Sequence, residues 1–398
     1  MLPAIQADRT VNFVKIAKRT RAISPFRVMK VLQRAGELEA AGRKIVHMEV
    51  GEPDFTTAAP IMEAARQALG NGHTHYSNAA GLPALRDAIA GFYQDRYDVI
   101  VDASRIFVTP GASGGLNLLA NLLIDPDDGI LMADPAYPCN RNLIRLMGGE
   151  AQLIPVDGAT GFQPAVGQLE QARTANSRGL WLASPANPSG TVIGRDHLQE
   201  LLDWSARYRL HTVMDEIYHG LHYVEDLPCL LELSDDGFVV NSFSKYFGMT
   251  GWRIGWLVVP ESCIELTNTL AQNLFIAAPT LSQHAALAAF TPAAMEIFET
   301  RRAAFQERRD FLYQALTEIG FSIPSATEGA FYLYAAIDRF SEDSEEFCRQ
   351  MLETHGVAIT PGTDFGDYQA HRYVRFAFTT DMDNLRLGVD RLAAALGS

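Results

Sequence analysis

The sequence has little cysteine, and what it has is scattered. Cys139, Cys229, Cys263 and Cys348 lie far apart, with no C-x-x-C pair and no metal-ligand spacing. A disulfide framework belongs to short secreted chains, so these read as free thiols in a reducing compartment. Long apolar runs are missing as well. Nothing approaches the roughly 18 apolar residues of a membrane helix, and the opening MLPAIQADRTVNFVKIAKRT holds no signal-like core. Basic charge is in deficit: 33 Lys and Arg stand against 47 Asp and Glu, a formal net charge of −14. Such a surface repels phosphodiester backbones, which argues against a nucleic-acid partner. Repeats, low-complexity segments, G-x-G-x-x-G and a P-loop are absent too. These absences lead to the expectation of a soluble cytoplasmic protein that binds neither membrane nor nucleic acid.

What is present suits a large core. The 398 residues are 47% hydrophobic and 20% charged, more apolar material than one compact domain usually needs. Short apolar runs with strand character recur: RIFVT (105–109), GILMA (129–133), GLWLAS (179–184), HTVMDE (211–216), FVVNS (238–242) and IGWLVV (254–259). Helical patterns separate most of them, such as GGLNLLANLLI (114–124) and DHLQELLDWSARY (196–208). Strands alternating with helices predict a mostly parallel α/β sheet covered on both faces. After about residue 290 the pattern changes. One long amphipathic helix is expected over 293–320, ending at Gly320, followed by GAFYLYAAI, a helix around 343–355, the strand RYVRFAF and a last helix. The start is helical too, around VMKVLQRAGELEAAG. The domain expectation is a large unit over 48–290 and a smaller α+β unit built from 1–47 and 291–398.

Ligands of open parallel sheets bind beyond the carboxyl ends of the strands. RIFVT is followed there by PGASGG and a helix, a turn that can offer backbone N–H groups and a helix dipole to a phosphate. GLWLAS leads into PANPSG, where Asn187 sits between two prolines. HTVMDE ends in Asp215, a carboxylate leaving a buried strand, with Tyr218 three residues on. VVNSFSKYFGMTGWRIGW places Lys245 among apolar residues and tryptophans, with Ser242 before it and Arg253 after it. Taken singly, each has a plain structural reading: a strand–helix turn, a loop, an aspartate capping a helix begun at EIYHGL, a solvated lysine. Taken together they ask for a partner with an aldehyde for the amine, a phosphate for the glycine loop, Ser242 and Arg253, and a basic ring nitrogen for Asp215. Pyridoxal 5′-phosphate has all three.

The chain resembles the fold-type I pyridoxal-phosphate aminotransferases of class I/II over nearly its whole length. The resemblance runs through HMEVGEPDF, YSNAAGLPALRDAIA, FVTPGASGGLNLLANLLIDPDD, DPAYP, SPANPSGTV, DEIYHGL, SFSKYFGMTGWRIGW, GAFYLY, GVAITPGTDFG and YVRFAF. It implies a large domain with a seven-stranded, mostly parallel sheet beside a smaller α+β domain. It also implies roles. Lys245 would form the Schiff base and act as general base, Asp215 would hold the ring nitrogen protonated, and Asn187 and Tyr218 would bond the phenolic oxygen. Tyr137 would stack on the ring, and Ala112, Ser113, Ser242 and Arg253 would hold the phosphate. Arg375 would grip the substrate α-carboxylate, with Gly51 and Asn187 beside it. Tyr76 would reach the phosphate across a homodimer interface, making composite sites. Tyr137 as core, Arg375 in a structural ion pair and Gly51 as a turn residue are the plain alternatives. His73 and His75 lack carboxylate or thiol company, so no metal is expected.

The activity so implied is ping-pong transfer of an amino group between an L-amino acid and a 2-oxo acid. C–S lyase or decarboxylase chemistry on the same fold remains open, and a non-catalytic regulator is the remoter option. Ser113 stands where aspartate-handling relatives often carry a lysine. With Phe275 near where a neighbouring subunit often lines the substrate pocket and Tyr332 expected nearby, this favours an uncharged donor over aspartate.

Overall fold

The structure, a computed structural model, describes residues 15–397. Residues 1–14 and 398, part of the expected smaller unit, lie outside the described residues.

Seven strands make the main sheet: β1 Ile106–Thr109, β2 Gly129–Asp134, β3 Glu150–Pro155, β4 Ser177–Ala183, β5 His211–Asp215, β6 Phe238–Ser242 and β7 Gly255–Val258. Their spatial order is β1-β7-β6-β5-β4-β2-β3. Every neighbouring pair is parallel except those of β7, which runs antiparallel to β1 and β6. The six apolar runs named above are six of these strands. The seventh, Glu150–Pro155, lies at the sheet edge and buries only Gln152 and Ile154. Its polar, alternating sequence carries no strong apolar run.

The order leaves the carboxyl ends of β1, β4, β5 and β6 on one side of the sheet. Each is followed there by a turn rather than by more strand. Thr109 leads through Pro110 into helix Gly111–Leu123, Ala183 into the Pro185–Pro188 loop, Asp215 into a turn, and Ser242 into the Lys245 segment. No helix begins at EIYHGL; the segment is a turn, with Asp215 Oδ1 accepting the Ile217 N–H at 3.1 Å.

The later chain follows its pattern closely. Helix Pro292–Ile319 starts at a Thr291 cap and stops at Gly320, whose φ of +110° favours glycine. A three-stranded antiparallel sheet follows, of β8 Tyr332–Ala336, β9 Thr360–Pro361 and β10 Tyr373–Ala377, in the order β9-β10-β8. The helix expected around 343–355 is Ser344–Gln350, continued by a wider π turn, Met351–His355. The two ends of the chain are joined. Val46–His47 pairs in parallel with Val357–Ala358, and Ala35 and Leu38 of helix Arg27–Ala40 pack with Ile45, Leu352 and Ala358. No helix among the described residues is long and apolar enough to cross a membrane.

Candidate active site

Beyond the carboxyl ends of β4, β5 and β6 lies a cavity of about 320 Å³. Its walls bring together Lys245, Asp215, Asn187, Tyr218, Tyr137, Ala112, Ser113, Arg253, Arg375 and Gly51, residues drawn from most of the chain's length.

Lys245 Nζ donates to the Gly51 carbonyl at 2.7 Å, and the Phe331 ring centroid lies 5.6 Å away. An ammonium in such surroundings has lost most of its water, and burial pushes its pKa down to about 8. Gly51 has no room for a side chain: a Cβ there would sit 1.7 Å from Tyr332 Oη. Asp215 moves the other way. Burial pushes its carboxyl up to about 6, against the Ile217 N–H and the nearby Lys245 charge. Tyr218 Oη lies 3.0 Å from Tyr332 Oη, fixing both phenols over the same space.

Arg375, on β10, is 4% exposed and makes no bond to a carboxylate among the described residues. Its Nη1 donates to Asn187 Oδ1 at 2.8 Å and its Nη2 to the Glu49 carbonyl at 2.6 Å. Its partners among the described residues are all neutral, so no structural ion pair is seen there. Its Nε is buried with no partner in the described structure. The guanidinium also lies over the Tyr332 and Phe365 rings, at 4.1 and 4.7 Å from their centroids. A buried cation with only neutral neighbours and a spare donor calls for an anion.

A second anion cradle lies across the cavity. Helix Gly111–Leu123 begins with no side-chain cap, so its first-turn N–H groups beside Ala112 and Ser113 remain available. Arg253 faces them in the left-handed region, φ +52°, with Nη1 donating to the Thr250 carbonyl at 2.9 Å. Gly111, φ +71°, allows this approach: a Cβ there would lie 2.6 Å from Arg253 Nη2.

One position expected at this site, Ser242, falls elsewhere. Ser242 is 1% exposed and lies behind the wall. Its Oγ lies 3.1 Å from the Ile254 carbonyl and 2.9 Å from Ser244 Oγ and accepts the Ser244 N–H at 3.0 Å, so it is engaged within the wall. Ser244, which the sequence reading passed over, takes the place on the cavity surface. Tyr76, expected at the phosphate of a partner subunit, is 82% exposed and outside this chain's own cavity. Phe275, expected at a neighbouring subunit's pocket, packs partly buried against the core of its own chain, and Tyr332 lines the cavity. His73 stacks on His284 at 4.2 Å, and no cluster among the described residues is arranged to hold a metal.

The sequence reading also missed four apolar residues of the cavity wall, Phe26, Val28, Met29 and Val50. The first three lie at the start of a helix whose heptad-like pattern carries no sign of a ligand. The remaining groups fit pyridoxal 5′-phosphate in kind: an amine of lowered pKa, a buried carboxylate and an uncapped helix start beside a guanidinium with no carboxylate partner among the described residues all face one space.

Known proteins match at every level. A family-wide sequence profile described as Aminotransferase class I and II matches residues 43–392. The valine–pyruvate aminotransferase of Mycobacterium tuberculosis is 38% identical over 378 residues, covering 94% of this chain and 97% of that protein. The (5-formylfuran-3-yl)methyl phosphate transaminase of Methanocaldococcus jannaschii is 33% identical over 95% of this chain and 98% of its own. Among solved structures, aspartate aminotransferase from Thermus thermophilus with maleate superposes with a TM-score of 0.91 at 31% identity, over 96% of this chain and 99% of that one.

Proposed function

The chain belongs to the class I and II aminotransferase family, and from that premise we propose that it prefers an uncharged L-amino acid to aspartate as donor. Members of the family use pyridoxal 5′-phosphate and pass the amino group to a 2-oxo acid. One observation carries the donor preference. Lys245, Arg253 and Arg375 are the basic residues on the cavity wall. Each has a task, at the amine, the phosphate and the α-carboxylate. None among the described residues is left for a second carboxylate, and the wall also carries the apolar side chains of Phe26, Val28, Met29 and Val50. Burying an unpaired carboxylate there is costly, while burying an apolar side chain is favourable.

When bound, the cofactor supplies an aldehyde that takes the amino group and a ring that withdraws electrons from the substrate's Cα. The chain's own residues do the rest. Lys245 Nζ, with its pKa lowered to about 8, is neutral often enough near physiological pH to remove the Cα proton. Asp215 offers a carboxylate to a protonated nitrogen, and that cation in turn keeps it ionised. Asn187, Tyr218 and Tyr137 line the same cavity and would hold the cofactor's ring there, the first two through side-chain polar groups. Ser113, Ser244, Arg253 and the helix start at Ala112 hold the phosphate. Arg375 grips the α-carboxylate, with Gly51 beside it, and so fixes which way the substrate's side chain points. Both half-reactions use this one site, which gives ping-pong kinetics.

The same reading includes a homodimer. Its support is exposed apolar surface at Tyr76, Leu266, Leu274 and Ile276, with Thr280 Oγ1 bonded to the His75 carbonyl at 2.7 Å so that two of these segments meet. Tyr76 then reaches the phosphate of the partner. The division into 48–290 and the joined ends is supported by the packing of helix Arg27–Ala40 against residues 357–361. A cytoplasmic location agrees with four free cysteines.

The experiment is a donor panel with several 2-oxo acids. Valine, leucine, alanine or an aromatic amino acid is expected to exceed aspartate in kcat/KM. Aspartate as the best donor would overturn the preference, and release of ammonia and pyruvate from cystathionine without a 2-oxo acid would mark a lyase instead.

A further inference from the structure

The part of the cavity wall formed by Phe26, Val28 and Met29 is held in place by a carboxylate distant in sequence. Helix Arg27–Ala40 starts after Phe26, which offers its first N–H groups no side-chain cap. Asp364 takes that role. Its Oδ1 accepts the Arg27 N–H at 2.6 Å and its Oδ2 the Val28 N–H at 3.3 Å. Asp364 is 3% exposed, so these are buried, charge-assisted bonds at the positive end of a helix dipole. Arg27 Nη1 closes the same contact from the other side, donating to the Thr363 carbonyl at 2.7 Å.

Asp364 also touches the other walls. Its backbone carbonyl accepts Arg141 Nη2 at 2.9 Å, from helix Pro138–Met147, which begins directly after Tyr137. It lies just beyond β9, where Thr360 is the register partner of Arg375. One buried residue therefore ties the turn carrying Phe26, Val28 and Met29 to the elements carrying Tyr137 and Arg375.

We infer that Asp364 is a positioning residue that sets the side-chain selectivity of the amino donor, by holding Phe26, Val28 and Met29 in place relative to Arg375. The inference rests on the proposed uncharged donor class. Arg375 fixes the α-carboxylate and Lys245 the Cα, so a donor's side chain has a set direction and its reward depends on where the apolar wall stands. Packing alone holds that wall loosely: Met29 is 55% exposed and Phe26 only half-buried. A first helical turn without its cap frays. Long aliphatic and aromatic donors use this wall most, and alanine, with a single methyl group, uses it least.

The test compares wild type, Asp364→Ala and Asp364→Asn in kcat and KM for leucine and for alanine, with cofactor content and circular dichroism recorded. Loss of a helix cap predicts a KM for leucine raised about tenfold in Asp364→Ala, with kcat changed by less than about threefold and a leucine-to-alanine kcat/KM ratio lowered at least about fivefold. Asp364→Asn keeps one acceptor oxygen and is expected to lie between. An unchanged ratio, or an equal fall for both donors, overturns the inference, because a merely structural role weakens both alike. If Asp364→Ala does not fold, the same ratio in Asp364→Asn decides. A wild type that prefers aspartate to both donors refutes the donor class separately, and the leucine-to-alanine ratio still judges Asp364.

Discussion

At the scale of single residues, burial does most of the chemical work. Lys245 and Asp215 carry opposite charges, and loss of water moves each toward its neutral form, to about 8 and about 6. Only a neutral amine attacks an aldehyde. Capture of pyridoxal 5′-phosphate by the apoprotein should therefore quicken as pH rises through about 8 and level off above it. Stopped-flow absorbance checks this, and a rate that is flat across that range contradicts it. Arg375→Ala removes charge-assisted bonding worth roughly 1.5–3 kcal/mol in total, so KM for the donor should rise about 10- to 100-fold while cofactor affinity stays nearly constant. Equal losses in both would move Arg375 out of the carboxylate site. Several of these side chains were legible in the sequence because charged or amide groups stand out where strands end. Ser242 and Ser244 were not separable there. They are two residues apart, and only the turn after β6 decides which hydroxyl is consumed by the Ile254 carbonyl and which faces the cavity.

At the scale of elements, position follows from how each strand ends. The six readable strands are apolar because they are buried, whereas Glu150–Pro155 is at the edge and half-exposed, so its sequence gave no comparable signal. The helix start at Phe26–Met29 was illegible as part of the site for another reason: its pattern reports packing of the helix, not what its first turn faces. The short ladder joining the chain ends has its own pH signature. Glu49, fully buried, bonds His47 Nδ1 at 2.8 Å and raises that imidazole to about 9, with Glu39 of helix Arg27–Ala40 adding a weaker pull. A pKa raised on folding gives stability that is complete below the ordinary histidine value, near 6.5, and is lost as pH climbs through about 9. Urea denaturation of wild type should show this decline, and His47→Gln should flatten it. An identical pH dependence in both would show that the pair does not contribute. Gly51→Ala should drive Tyr332 off Tyr218, at a cost of about 1–3 kcal/mol, with turnover falling more than stability. Wild-type turnover in that variant would show that the Tyr332 contact is dispensable.

At the scale of the whole molecule, the site is an assembly of distant sequence. Gly51, Ala112, Asn187, Asp215, Lys245 and Arg375 meet only because the sheet order folds the carboxyl ends of β1, β4, β5 and β6 to one side and β10 closes over them. The exposed Tyr76 belongs to the same logic one level up. Light scattering on the purified protein should give twice the 43.8 kDa chain mass, and a stable monomer at micromolar concentration would remove the composite-site proposal. The central claim, an aminotransferase whose donor is uncharged, is tested most directly by a single half-reaction. Cofactor-loaded protein is mixed with valine, leucine, alanine or aspartate and no 2-oxo acid, and the visible absorption of the bound cofactor is followed. The account predicts rapid, saturable loss of that absorption with an uncharged amino acid and slower loss with aspartate, recovery on adding a 2-oxo acid, and no response in Lys245→Ala. Fastest loss with aspartate, or a full response from Lys245→Ala, would contradict it.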